Sequence, residues 1–418
     1  MLLLLQYTSS SFRIAAAFNV VLPRRNSSPR RTSAAGIRGR MSIINMSTTS
    51  SPKRPSKFAA LMPGEASAAP ATGWPPLEFS STTASIRTSI LPDDPCHTNE
   101  QPLLHHRREI YYKPSLLSEN QVLDLVELLE ASSVELREKE ARCLVAMEDG
   151  DICNTASSKL SEILIPMLME QVLPFAREVC QAPNLAIADA LIRSYDPNDN
   201  REALPQHYDK TAYCSVIVPL NPTECEGGLY VQPGASVNTR REVQFQTAGD
   251  AVLHRYDVMH GVHVRKGKRY SLVVWMAETE DSVVQKTAPW VEREANISVH
   301  AAFLYANNIK EGLLGFSKNE TLARSLYEWA SEQGHAYSQY VLALWLFKDR
   351  QERVRGVDLL RQASTGGLAS AQHMLGILYK EGYQGLETNR DLAQSYLRSA
   401  ANQGYGPSLE ILNDPSRW

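Results

Sequence analysis

The spacing of apolar residues divides the chain into stretches of different period. In "SENQVLDLVELLEASSVELREKEARCLV" (118–145) apolar positions recur at helical intervals after a candidate Ser N-cap and early acids, which predicts an amphipathic helix. "SSKLSEILIPMLMEQVLPFAREVC" (157–180) predicts a second helix. It should bend or break near Pro166 or Pro174, because proline lacks the N–H that a helix interior needs. Both stripes read as core that packs against a sheet.

From 187 the runs become short, β-branched or aromatic. "ALIRSY" (190–195), "AYCSVIVPL" (212–220), "GGLYVQPG" (227–234), "EVQFQ" (242–246), "DAVLHRY" (250–256), "HGVHV" (260–264) and "RYSLVVWMA" (269–277) are separated by turn residues at regular intervals. This pattern predicts an antiparallel sandwich or barrel. The polar stretch "DPNDNREALPQ" (196–206) reads as an irregular loop and a candidate lid.

Toward the C-terminus the helical period returns and repeats. Ala330/Gly334, Ala363/Gly367 and Ala400/Gly404 recur at intervals of 33 and 37 residues, with apolar helical stretches between them. A helix–turn–helix array follows, in which small residues let helices cross closely and Gly ends one helix before the next begins.

Composition adds limits. The chain has 418 residues, 43% hydrophobic and 21% charged, ordinary for a soluble protein. No run approaches the ~20 apolar residues of a membrane span. Residues 1–64 hold ten Lys/Arg and no acid, which leaves 33 basic and 46 acidic residues in the remainder. That acidic body excludes a general nucleic-acid binder. The basic, Ser- and Ala-rich start predicts an organelle transit peptide, hence a mitochondrion or plastid, the alternative being a disordered tail on a cytoplasmic protein. Six cysteines without CxxC pairing exclude a standard zinc module and read as free thiols.

Candidate chemistry centres on "QHYDK" (206–210). His207 and Asp209 are two apart, so in extended backbone both can face one cavity, with Tyr208 pointing away. A third ligand to a metal must come from His254, His260 or His263. Arg269 opens the last predicted strand, nine residues after His260, and could grip a carboxylate with two parallel N–H donors. Ser271 shares a strand face with Arg269. His254 reads as a core or supporting residue, His263 as exposed, and Trp275 as core or a pocket wall.

"HYD … EGG … GDAVLHRYDVMHGVHVRKGKRYSLVVW" resembles the double-stranded β-helix core of the Fe(II)/2-oxoglutarate dioxygenases, and within them the prolyl 4-hydroxylase-type branch. The likeness covers roughly 105–280. It implies that His207, Asp209 and His260 bind Fe(II). It implies that Arg269, with Tyr195 and Ser271, binds 2-oxoglutarate, that O2 is the second co-substrate, and that ascorbate supports turnover. The prolyl hydroxylases usually carry Lys where Arg269 stands, so the likeness fixes the co-substrate more firmly than the substrate. Position 275 is Trp, where the nucleic-acid demethylases carry a second arginine, and Asp209 is retained, unlike the halogenases. "AQHMLGILYKEG" (371–382) is similar to Sel1-like repeats, relatives of the tetratricopeptide repeat, and residues 300–330 resemble a degenerate first unit.

The expected architecture is therefore multidomain. A targeting or disordered segment (1–64) and a disordered linker (65–104) precede the dioxygenase domain (105–280), a jelly-roll β core at 187–277 with flanking helices. An α-helical Sel1/TPR-like array (296–413) follows. The expected activity is hydroxylation of a C–H bond on a peptide or protein, with the repeats docking a partner or the substrate. A small-molecule oxygenase and a non-catalytic repeat scaffold with a relic oxygenase domain are the alternatives.

Overall fold

The structure is a computed structural model that describes residues 73–80, 86–91, 108–131, 141–143, 145–148, 151–154, 158–199 and 201–414. The basic segment 1–64, and the import expectation attached to it, lie outside the described residues.

Strands β1 (Arg87–Ile90) and β2 (Glu109–Lys113) precede helix α1 (Glu119–Ala131). Short strands β3 (Ala141–Cys143), β4 (Val145–Glu148) and β5 (Asp151–Asn154) follow, so the predicted helix over 118–145 stops earlier than its periodicity suggests and its end is strand. Helices α2 (Ser158–Met167) and α3 (Leu173–Cys180) are separated by one π turn, Leu168–Val172, lying between the two prolines. A wider turn is a way for a helix to absorb the N–H that Pro174 lacks.

The barrel comes next: β6 (Ala186–Tyr195), β7 (Ala203–His207), β8 (Cys214–Pro219), β9 (Glu226–Val231), β10 (Arg241–Glu242), β11 (Ala251–Arg255), β12 (His260–Lys266) and β13 (Arg269–Ala277). One sheet has the order β1-β2-β11-β8-β13-β6-β3 and the other β10-β9-β12-β7. Apart from the β9–β10 pair, consecutive strands alternate between the sheets, and all pairing is antiparallel. This is the eight-stranded jelly roll, the double-stranded β-helix. Ile217, Leu229, Val231, Val252 and Val258 fill the space between the sheets, joined by Tyr112, Leu91 and Leu77.

Two parts differ from expectation. Strand β7 takes in the last four residues, 203–206, of the stretch read as a loop, where Pro205 lowers the strand signal. Proline is tolerated there since β7 is the edge of its sheet. The stretch 65–104 is not wholly a linker. Within it β1 pairs with β2, and Leu77 N–H donates to the Glu242 carbonyl at 2.8 Å. Trp74 is buried against Tyr230, ring centroids 4.7 Å apart, with the Arg240 guanidinium 5.1 Å from its ring. Single anchors hold this stretch, and a periodic pattern cannot reveal them.

Helices α4 (Glu280–Gln285) and α5 (Pro289–Arg293) lead into the array. It consists of α6 (Val299–Glu311), α7 (Glu320–Glu332), α8 (Ala336–Leu346), α9 (Arg353–Thr365), α10 (Ala369–Glu381), α11 (Arg390–Ala401) and α12 (Gly406–Asn413). Gly334, Gly367 and Gly404 each take a positive φ at the turn between successive units, as their recurrence predicts. No described helix is long and apolar enough to cross a membrane.

Candidate metal centre

His207 ends β7 and His260 opens β12, and the register sets these two residues opposite each other. Asp209 lies just beyond β7. Its Oδ1 is 3.5 Å from His207 Nε2 and its Oδ2 is 3.6 Å from His260 Nε2. One donor atom from each of the three residues lies within 4.8 Å of the others. His207 Nδ1–H donates to the Pro205 carbonyl at 2.9 Å, and His260 Nδ1–H to the Val258 carbonyl at 3.1 Å. A carbonyl can only accept, so each ring keeps its Nε2 lone pair for a cation. Ser215 Oγ–H donates to Asp209 Oδ2 at 2.5 Å and fixes the carboxylate.

The electrostatics agree. Burial pushes the Asp209 carboxyl upward, but His260, His207 and His254 around it outweigh burial and hold it well below the usual carboxylate range. Burial lowers both His260 and His254, with His254 adding to the effect on His260 and Asp209 opposing it. A carboxylate and two imidazoles whose Nε2 atoms converge on it match the donor set of non-haem Fe(II) sites, which leave positions open for co-substrates.

His254 is the residue whose place the sequence left least certain. It is fully buried, its ring centroid lies 4.1 Å from that of His260, and its Nε2 is 4.0 Å from Asp209 Oδ2. Its Nδ1–H donates to the Arg255 carbonyl at 3.0 Å. It thus shares the tautomer of His207 and His260. Lys210 carried no motif in the sequence, yet it follows Asp209 directly and burial lowers its pKa to about 8. His263 faces away from the centre and sits half-buried edge-on to Trp74, not exposed. Trp275 is half-buried.

Arg269 is buried, and its register partner across β6–β13 is Tyr195. Ser271 lies two residues on, also buried. Among the described residues, Arg269 Nε and Nη2 and Ser271 Oγ have no hydrogen-bond partner. Buried donors left unpaired are costly, and an arginine fork beside a hydroxyl fits a carboxylate. Burial lowers the Arg269 pKa, with the Cys225 thiol beside it acting in the opposite direction. The "EGG" stretch, which the structure places at the start of strand β9 and not in a turn, makes room for this group. A Cβ on Gly228 would lie 2.8 Å from Arg269 Nη1, and its φ of +152° also favours glycine. Gly261, beside His260, is crowded by Tyr230 and the Leu204 carbonyl.

The Sel1 repeat family matches residues 299–335 and 369–405. The first unit is therefore a matching one, not a degenerate one. The departing unit is the middle one, whose connection 347–352 is shorter than 312–319 or 382–389 and has no glycine. No curated protein matches the chain. Among solved structures, a protective antigen of uropathogenic Escherichia coli with an SLR fold is 24% identical over 30% of this chain, TM-score 0.28. The chain spans only 27% of that antigen. A 2OG-Fe(II) oxygenase family oxidoreductase from Burkholderia pseudomallei is 16% identical, covering 41% of this chain and 86% of its own, TM-score 0.32. A Pseudomonas putida prolyl-4-hydroxylase is 15% identical, covering 40% and 91%, TM-score 0.29. The chain thus joins a jelly-roll body to a helical array in which two stretches match the Sel1 repeat family.

Proposed function

We propose that the protein is an Fe(II)- and 2-oxoglutarate-dependent dioxygenase that hydroxylates a C–H bond of a peptide or protein side chain, in the manner of a prolyl 4-hydroxylase. The observation that carries this reading is the convergence of His207, Asp209 and His260, whose donor atoms lie within 4.8 Å of one another, in a barrel whose buried Arg269 and Ser271 carry polar atoms with no partner among the described residues. When bound, Fe(II) with 2-oxoglutarate and O2 supplies the oxidising power, the oxo-acid leaving as succinate and CO2 while one oxygen atom enters the substrate. His207, Asp209 and His260 hold the ion in the tautomers and charge state described above. Ser215 orients the Asp209 carboxylate. Arg269 pairs with the distal carboxylate of 2-oxoglutarate, with Ser271 and Tyr195 beside it. The jelly-roll walls exclude water. The repeats dock a protein partner or the substrate.

The test is succinate formation with Fe(II), ascorbate and candidate peptides, proline-containing ones first. Turnover that His207→Ala abolishes supports the reading. No succinate, coupled or uncoupled, from any of them sinks it. Arg269→Leu removes charge-assisted hydrogen bonds of about 1.5–3 kcal/mol, so 2-oxoglutarate affinity should fall roughly 10- to 100-fold while metal affinity holds.

A further inference from the structure

The residues flanking the metal ligands are held by the repeat array. Tyr208, between His207 and Asp209, is buried, and its hydroxyl hydrogen-bonds His300 Nδ1 at 3.0 Å. His300 stands in the first turn of α6. Met259, directly before His260, accepts at its sulfur from Tyr337 Oη–H at 3.1 Å. Tyr337 stands in the first turn of α8. Its hydroxyl also receives a hydrogen bond from Gln232 Nε2 at 3.4 Å. Gln232 Oε1 accepts from Arg240 Nε at 2.8 Å, and Arg240 Nη2 donates to Gln206 Oε1 at 2.7 Å. Gln206 directly precedes His207. Gln206, Gln232 and Arg240 are all buried. A buried polar chain thus runs from the neighbour of one ligand, through the array, to the neighbour of another.

The positions within the repeats are informative. His300 and Tyr337 are each the second residue of a unit's first helix. The same place in the next two units holds Ser370 and Pro407. Large polar aromatic side chains stand at this position only in the two units that reach the ligand segments.

We propose that the first two repeats are a positioning element of the metal centre. His300 and Tyr337 set the backbone on which His207, Asp209 and His260 are mounted. The inference rests on the reading that these three residues hold a metal ion. Partners placed around metal ligands typically change affinity by 10- to 100-fold when removed. The array then contributes to the chemistry, besides any docking it performs.

Co(II) alone, titrated into the full-length chain and followed by its visible absorption, tests this. His300→Ala and Tyr337→Phe should each weaken Co(II) binding by roughly tenfold and shift the absorption of the bound ion. His300→Asn, which keeps a polar atom near the Nδ1 position, should restore both. Tyr208→Phe deletes the first hydrogen bond from the barrel side without altering the array, and should match His300→Ala. Tyr327→Phe removes a buried hydroxyl that donates to Asn307 Oδ1 at 2.9 Å inside the array. It should leave Co(II) binding within about twofold of the unaltered chain, well below the effect expected of a ligand's neighbour. Unchanged binding in His300→Ala, Tyr337→Phe and Tyr208→Phe overturns the proposal. An equal loss in Tyr327→Phe also overturns it, since affinity would then follow array stability in general. An unaltered chain that binds no Co(II), or binding that survives Asp209→Ala, overturns the metal reading and this inference with it.

Discussion

The array meets the barrel at two ends, and the two contacts differ in kind. At the near end, α6 and α8 bring His300 and Tyr337 against Tyr208 and Met259, the neighbours of His207, Asp209 and His260. At the far end, Gln403 after α11 accepts from Ser236 Oγ at 3.3 Å and from Val237 N–H at 3.2 Å. Ser236 also packs so closely on Gly367 that a Cβ there would lie 2.6 Å away. Both ends are built from the same repeat. The loops "GLLGFSKN" (312–319) and "GYQGLETN" (382–389) share glycines at matching places and cap the next helix with Asn319 and Asn389. The repeat supplies a scaffold twice over, and departures from it mark where one copy has a particular neighbour. The far end secures the array on Ser236 and Val237, and the near end reaches the neighbours of His207, Asp209 and His260.

The largest effect separating the ends should come from Glu294, which ties the approach to α6 onto the end of β11. Arg255 Nη2 donates to both its carboxylate oxygens at 2.6 Å, and Tyr256 Oη–H donates at 2.5 Å. Glu294→Ala removes these charge-assisted hydrogen bonds and leaves Arg255, whose side chain is 24% exposed, with the Asp257 charge beside it, a loss of about 1.5–3 kcal/mol. Denaturant unfolding reads that loss directly. A loss no larger than that of a far-end contact would remove the distinction between the ends in stability.

Metal loading should sharpen the comparison next. An ion that binds only the folded chain stabilises it by about 2.7 kcal/mol at a hundredfold excess over Kd. With Mn(II) or Co(II), amide exchange should slow at the starts of α6 and α8 more than at the starts of α10 and α12. Asp209→Ala should abolish both the stabilisation and the difference. Uniform protection along the array would break the link between the near end and the metal.

The parts legible in the sequence were those with a local signature. His207 and Asp209 stand two apart in near-extended backbone, and the turn glycines of the array recur with the repeat. Arg269 and Ser271 share a strand face for the same reason. The facing of Arg269 and Tyr195 needs the register of two strands far apart in the chain, which no local pattern encodes. Strand β7 was hidden by Pro205, and Trp74 was hidden in a stretch with no periodicity. His254 carries no signal that distinguishes a core imidazole from one leaning on a ligand. The contact between Tyr208 and His300 spans 92 residues. The sequence placed Tyr208 between His207 and Asp209 but could not say that its hydroxyl meets His300.

The smallest predicted effect is the most discriminating for the far end. Gln403 also donates through Nε2 to the Gly367 carbonyl and to Gln372 Oε1, both at 2.8 Å. Gln403→Ala therefore removes neutral hydrogen bonds from a mostly buried side chain and leaves the Val237 N–H without its acceptor. Neutral bonds of this kind contribute about 1 kcal/mol each, and part of that is recovered where water can replace the lost group. A net loss of about 1–2 kcal/mol should appear in unfolding, with Co(II) affinity unchanged. If Gln403→Ala weakens metal binding as much as His300→Ala does, the two ends act as one rigid body and the metal centre depends on the whole array. If stability falls and metal binding holds, the far contact serves only attachment, and the coupling is confined to the two repeats that carry His300 and Tyr337.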